Sequence, residues 1–365
     1  MAQRRIDRPF LILTIILVGV GFFIFSSASL GLLAREGITF SNIATNQILG
    51  LVTGIASLVL TIRIPYQFWS RYALYIFLGA IVLTLLVFIP KLGFSHGGAT
   101  RWLDFGLFTF QPAEVLKLGF VVYFAAWLSG ARQKLGTLRY GVLPLTILLA
   151  IVGGTLIFQP DIGTFLVIAL TGAVMFVVAG GKWRHIFSFA AVGGAALGTL
   201  AFFLPYIKTR LLVFLNPALD PLGAGYQIQQ SLIAIGSGNI FGRGFGQSVQ
   251  KFNFLPEPVG DSIFAVFAEE WGFVGATILI ALFVLFALRG YRIASRAPTY
   301  FSGLLATGLV TLIVIQSLIN IASMLGIFPL TGEPLIFVSQ GGTALMLALA
   351  EVGIVLGISK SVTRR

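Results

Sequence analysis

Ten apolar runs recur along the 365 residues, at roughly 10–32, 44–62, 72–90, 113–130, 141–158, 163–181, 185–205, 262–288, 301–325 and 339–359. A helix needs about 20 such residues to cross the hydrocarbon core of a bilayer. In lipid no water can satisfy a bare N–H or C=O, so only helices and closed barrels span it. These runs are continuous rather than alternating, and therefore predict helices. Composition agrees: 57% of residues are hydrophobic and 10% are charged, against about 25% charged in soluble domains. The expectation is an all-α integral membrane protein, one polytopic domain over residues 1–365 with ten transmembrane helices. The first run is too long for a signal peptide and has no small-x-small cleavage site after it.

Orientation follows from charge. Lys91, Arg101, Lys208, Arg210, Arg243, Lys251 and Arg35 fall in one set of joints, and Lys117 lies inside a run. The other 16 of the 24 Lys and Arg flank the alternate joints and both ends. The richer side is cytoplasmic by the positive-inside rule, so both termini are expected in the cytoplasm and residues 205–262 form a large extracytoplasmic loop between helices 7 and 8. The same asymmetry accounts for most of the net charge of +12, so nucleic acid is not an expected partner. The acids are distributed the other way. Only Asp7 is on the cytoplasmic side, Glu269, Glu270 and Glu351 lie within runs, and the rest, Glu36 included, gather at the outer joints.

Chemistry is limited by what is missing. With no Cys and only His96 and His185, a thiolate metal site, a Cys nucleophile and a His-centred triad are all disfavoured. The polar outer joints remain. In residues 96–118, Glu114 and Lys117 are spaced i,i+3 on one helix face, and charges inside a span usually face a protein interior or a cavity. The alternative is a Lys that snorkels to the interface. Pro112 suits a first helical turn, and Asp161 suits a helix cap. In the large loop, Ile228, Leu232 and Ile235 predict one apolar side of an interfacial helix, with Gln227, Gln230 and Ser231 opposite. Residues 236–246, GSGNIFGRGFG, could bring backbone N–H groups to a phosphate, although the spacing is that of neither a P-loop nor a Rossmann turn. Asp261 precedes the eighth run, as an N-cap would, and is also placed to act as a general base. Residues 320–346, with Pro329, Gly332, Pro334, Gly341 and Gly342, are irregular and must be buried or line a cavity.

Taken together, GATRWLDFG with FQPAEVLKL, QPDIGT, GYQIQQSLIAIGSG, FGRGFGQSVQKFNFLPEP and the final TGEPLIFVSQGG resemble the SEDS family of bacterial cell-wall synthesis proteins, the shape, elongation, division and sporulation group. GQSVQKFNFLPE is more similar to the FtsW-type division branch than to the RodA-type branch. The resemblance implies a peptidoglycan glycosyltransferase of the bacterial cytoplasmic membrane that polymerises lipid II at the outer face beside a class B penicillin-binding protein. It assigns the essential acid to Asp261, the Arg-Trp pair to Arg101 and Trp102, and the membrane pair to Glu114 and Lys117. Three departures stand out: Val259-Gly260 replaces His-Thr before the Asp, Ile336 replaces a Pro, and Gln340 and Thr343 replace a Tyr and a Ser.

The implied reaction joins a sugar 4-hydroxyl to an anomeric carbon with departure of undecaprenyl pyrophosphate. One carboxylate suffices as base. An ordinary Asp, with a pKa of about 3.9, is ionised without tuning. Positive charge on the leaving group would come from Arg101, Lys117, Arg210, Arg243 and Lys251. A divalent cation (Mg or Mn) could share that work through carboxylate oxygens, although no dedicated ligand cluster is visible. Two other classes are a lipid II flippase, which the intramembrane charges would suit, and a scaffold that only recruits the transpeptidase. The flippase lacks an internal repeat, and the scaffold leaves the outer acids and bases unexplained.

Overall fold

Every apolar run becomes a helix. The computed structural model describes residues 6–33, 40–96, 99–106 and 109–361. Arg4, Arg5, Arg35, Glu36, Arg364 and Arg365, which entered the charge count, lie outside these. The helices are α1 (Arg8–Leu33), α2 (Phe40–Arg63), α3 (Tyr66–Arg71), α4 (Ala73–Leu85), α5 (Pro112–Gly130), α6 (Leu143–Ile157), α7 (Ile162–Val178), α8 (Trp183–Phe203), α9 (Pro205–Leu215), α10 (Ala224–Ser237), α11 (Ile263–Ser295), α12 (Tyr300–Met324) and α13 (Gly342–Ser359). Seven are long and apolar enough to cross a membrane, and Gln47–Arg63, Ala73–Phe88 and Ile162–Val178 are shorter apolar helices among the described residues.

Local chemistry sets the helix starts. Pro112 opens α5, where its missing N–H costs nothing. Asp161 caps α7, accepting from Thr164 N. Thr299 and Ser302 form a reciprocal capping box on α12. The core forms around α12, which is buried along most of its length and packs on α5, α7, α11 and α13. The closest helix pair is α2 with α13, and small residues permit it. A Cβ on Gly353 would sit 2.0 Å from Thr61 Oγ1, as expected where backbones approach closely in a membrane bundle.

Long-range contacts collect the expected cytoplasmic joints at one end. Asp7 pairs with Arg289 at 2.7 Å, and its N–H donates to Ser359 Oγ. Tyr300 Oη donates to Ala179 O, and the Arg132 guanidinium lies over the Tyr300 ring at 4.4 Å.

At the other end the all-α expectation needs correction. The joint before α5 holds a three-stranded antiparallel sheet, β1 (Gly93–His96), β2 (Ala99–Asp104) and β3 (Thr109–Phe110), in the order β1-β2-β3. Phe94 pairs with Trp102 and Leu103 with Phe110. A Gly pair between two short runs is a hairpin signal, and Gly97-Gly98, itself outside the described residues, supplies it in the sequence. The large loop is also more ordered than its name suggests. It contains α9, α10 and a turn-rich stretch ending at Asp261.

Candidate functional site

The segment between α12 and α13, residues 325–341, organises the site through its carbonyls and one side chain. Arg210, on α9, donates from Nη1 to Leu330 O at 3.0 Å and to Thr331 O at 3.3 Å. Asn320 Nδ2, on α12, bridges Glu333 O at 2.8 Å and Asp261 O at 2.7 Å. Ser339 Oγ donates to Gly260 O, and Gln340 N to Val259 O. Two family departures, Val259-Gly260 and Gln340, therefore meet each other. Their contacts are largely backbone-mediated, so side-chain identity is freer there.

Glu333 itself is buried. Its Oε1 lies 2.7 Å from Thr164 Oγ1, which is also 2.9 Å from Asp161 Oδ2. Its Oε2 lies 3.6 Å from Lys117 Nζ. Lys117 is fully buried and donates to Glu114 Oε1 at 2.7 Å and to Gln316 Oε1 at 2.6 Å. This is no snorkelling lysine. Its charge is enclosed with partners on three elements, as the low dielectric of an interior demands. On β2, Arg101 faces Asp161 at 3.7 Å and donates to Gln159 O and Pro160 O. Trp102, the next residue, must point to the opposite face of the strand.

Asp261 stands at the threshold of α11 but does not cap it. The cap position is Ser262, with no side-chain cap bond. Instead the Asp261 carboxyl is approached by the Gln227 amide from α10, and its Oδ1 has no hydrogen-bond partner. Burial, with the Glu257 carboxylate nearby, pushes Asp261 up to about 6, against the pull of Gln227 and Arg210. The environment thus tunes this acid, contrary to the expectation of an ordinary Asp.

Arg243 and Lys251 are set apart from this group. Lys251 is buried, with Nζ 2.7 Å from Glu270 Oε1 and 3.0 Å from Ser27 Oγ of α1. Glu269 accepts from Ser248 Oγ and from the N–H groups of Val249 and Gln250. Arg243 lies 3.6 Å from Glu269. Two adjacent buried glutamates need compensation, and Lys251 supplies it rather than facing a leaving group. The glycine-rich stretch is redirected in the same way. Arg243 N and Gly244 N donate to the carbonyls of Glu269 and Glu270, while Asn239 O and Ile240 O accept from Phe273 N and Val274 N. These N–H groups patch the break in α11 at Gly272, where φ is 64° and ψ −165°, so they are not available to cradle a phosphate. On α10 the apolar side is rotated from the expectation: Ile228, Ser231 and Ala234 are buried, and Leu232 and Ile233 are exposed.

The FtsW/RodA/SpoVE cell cycle protein family profile matches residues 8–364. The chain belongs to this family. Stage V sporulation protein E of Bacillus subtilis is 35% identical over 354 residues, covering 97% of each chain. The probable peptidoglycan glycosyltransferase FtsW of Geobacter sulfurreducens is 39% identical over 306 residues, 84% of this chain and 82% of that one. Among solved structures, a chain of a peptidoglycan synthase complex that coordinates polymerization and crosslinking superposes with a TM-score of 0.83 at 27% identity, covering 99% of each chain. The rod shape determining protein RodA of Thermus thermophilus gives 0.71 at 26% identity, covering 99% and 98%. Membership and the apolar helices make this a multi-pass protein of the bacterial inner membrane.

Among the described residues no group of three or more His, Asp or Glu could hold a metal by itself. Sequence reasoning placed Glu333 at the outer face but gave it no role, and it missed Thr164, Gln316 and Asn320. The one available signal was that 320–346 had to be buried or line a cavity. Which side chains it would meet depends on contacts far apart in sequence, such as the 169 residues between Thr164 and Glu333.

Proposed function

We propose that Asp261 is the general base with which this chain polymerises lipid II into glycan strands. The chain is a peptidoglycan glycosyltransferase, as several FtsW relatives are named. The observation that carries the role of Asp261 is its unpartnered Oδ1 on a backbone pinned by Asn320, beside the electrostatic reach of Arg210. An acid held at about 6 is ionised at neutral pH and still basic enough to take a proton from the attacking 4-hydroxyl, since a base works best with a pKa near the operating pH. The anomeric carbon inverts, and undecaprenyl pyrophosphate leaves toward Arg101 and Arg210, whose fixed charge stabilises it. Trp102, Glu114 and Lys117 complete the substrate-binding side of the proposal, the last two by holding the segment whose carbonyls accept from Arg210.

A divalent cation, if bound, would be held by the Asp261 and Glu257 carboxylates and would supply positive charge to the departing pyrophosphate. The Asp261 and Glu257 carboxylates interact, and Mg²⁺ typically takes one or two carboxylates plus substrate phosphates and waters. The reading also includes ten spans with both termini in the cytoplasm, residues 205–262 as the outer part of a single domain, an FtsW-type division role, and a class B penicillin-binding protein as partner.

The deciding experiment incubates the purified protein and its transpeptidase with labelled lipid II in detergent, where sidedness is absent. Glycan ladders are expected for the wild type, and Asp261→Asn is expected to lose about 10²–10⁴-fold in rate while remaining folded. Full activity of that variant removes Asp261 from the mechanism. Absence of ladders from the wild type, with lipid scrambling in vesicles, would favour the flippase.

A further inference from the structure

We infer that Glu333 holds a proton and acts in that form as a positioning residue, fixing Arg101 and Arg210 relative to Asp261. The inference rests on reading the chain as a glycosyltransferase. It begins from a count of protons. Thr164 Oγ1 lies within hydrogen-bond distance of two carboxylates, 2.9 Å from Asp161 Oδ2 and 2.7 Å from Glu333 Oε1. A hydroxyl has one proton to donate. It can satisfy one carboxylate, and the other must itself donate to the hydroxyl oxygen or stand against it unpaired.

The surroundings decide which acid carries the proton. Asp161 also accepts from the N–H of Thr164 at the start of α7 and faces the Arg101 guanidinium at 3.7 Å. Glu333 faces a cation too, Lys117, but no N–H among the described residues donates to its carboxyl. Its Oε2 is buried without a hydrogen bond, because Lys117 has turned two of its donors to Glu114 and Gln316 and stands 3.6 Å away. Charge balance points the same way. Five acids share these cations: Glu114 from α5, Asp161 from the start of α7, Glu351 from α13, Asp261 beside Arg210, and Glu333 itself. They meet three cations, Lys117, Arg101 and Arg210. Burying an uncompensated carboxylate is costly, and such a group takes up a proton instead.

The resulting chain of donors runs Glu333 Oε1–H to Thr164 Oγ1, Thr164 Oγ1–H to Asp161, with Arg101 on the far side of Asp161. The segment that carries Glu333 presents the carbonyls that hold Arg210 and, through Asn320, the backbone of Asp261. Protonated, Glu333 locks the three functional groups to one frame. Ionised, it sets two carboxylates against a single hydroxyl proton, and the frame loosens.

Glycan-ladder assays from mildly acid to alkaline pH test this on the full-length protein with its transpeptidase. Glu333→Gln, a neutral donor of the same shape, should stay close to wild type and lose the alkaline decline expected of the wild type. Glu333→Ala and Thr164→Val should each fall by about tenfold or more, as small misplacements of reacting groups do. Glu333→Gln as impaired as Glu333→Ala, or Glu333→Ala as active as wild type, overturns the inference. An independent readout needs no activity. The infrared spectrum at neutral pH should contain a protonated-carboxyl band that disappears in Glu333→Gln, and an unchanged band also overturns it. A wild type that makes no ladders but shows this band would refute the glycosyltransferase reading and leave the proton on Glu333 established.

Discussion

Two buried ionic clusters lie at the end of the bundle away from the Asp7–Arg289 pair, and they are finished differently. Around Lys251, two glutamates meet a lysine, two serine hydroxyls and backbone N–H groups, and only one residue there, Gln250 by its Oε1, has an orphaned buried atom. Around residues 325–341, Asp261 Oδ1, Glu333 Oε2, Asn320 Oδ1 and Gln159 Oε1 all lack partners. Buried polar atoms are nearly always satisfied, so exceptions call for a reason. The saturated cluster holds structure together. On the proposed function, the less saturated one would keep acceptors in reserve for a substrate and its protons. Conspicuous charge is thus a poor guide to function in a membrane protein, and incomplete pairing is a better one.

Substitutions can break that contrast. The largest stability effect should come from the saturated cluster. Lys251→Met strands Glu270, and removing one partner of a buried pair costs about 3–5 kcal/mol, readable as a lower thermal midpoint in detergent. A variant as stable as wild type would show that the pair is not structural. In the unsaturated cluster Asp261→Asn should remove activity without that loss of stability, because no bond to Oδ1 is given up. A smaller effect follows from the pH profile. Asp261 must be ionised to act, so activity should fall by half near pH 6 as the medium is acidified. Stability should not fall with it from this group: a carboxyl raised in the folded state binds its proton there first, so its contribution grows as pH drops. A flat rate between neutral pH and pH 5 would contradict the assignment.

The smallest effect lies at the other end of the molecule. Burial pushes Asp7 upward, but the Arg289 hydrogen bond, the Phe10 N–H and the charges of Arg289 and Arg292 outweigh it and hold the carboxyl below its ordinary value. This partly exposed pair contributes stability that is present above the ordinary Asp value and is lost as pH falls through the lower folded one. Asp7→Asn should cost only about 0.5–1 kcal/mol, seen as a small shift in the thermal midpoint at neutral pH. A shift as large as that of Lys251→Met would place a third essential cluster at this end.

Much of the frame was legible in the chain because its causes are local. Apolar length gave the ten long apolar runs as helices but not α3 or α9, Pro112 and Asp161 marked two starts, and charge bias sorted the joints into the sets that the fold gathers at opposite ends. Partnership was not legible. Nothing near Lys251 announces that Ser27 and Glu270 will enclose it, and a glycine-rich loop reads alike whether its N–H groups await a phosphate or mend a broken helix. The expected cap at Asp261 failed for a related reason: the local preference of Asp for a helix start lost to the amide of Gln227, which only the tertiary fold brings there. The small sheet was missed because its strands are short and lie within a joint read for its charges.

The break at Gly272 divides α11 unequally. The 23 residues that follow it, to Ser295, extend about 35 Å at 1.5 Å per residue, enough to cross a hydrocarbon core of about 30 Å without help. The nine that precede it, from Ile263, are surplus to the crossing. They form a pedestal of up to about 14 Å with Asp261 at its top. A site raised in this way can handle a hydrophilic polymer in water while the lipid end of the same molecule stays immersed.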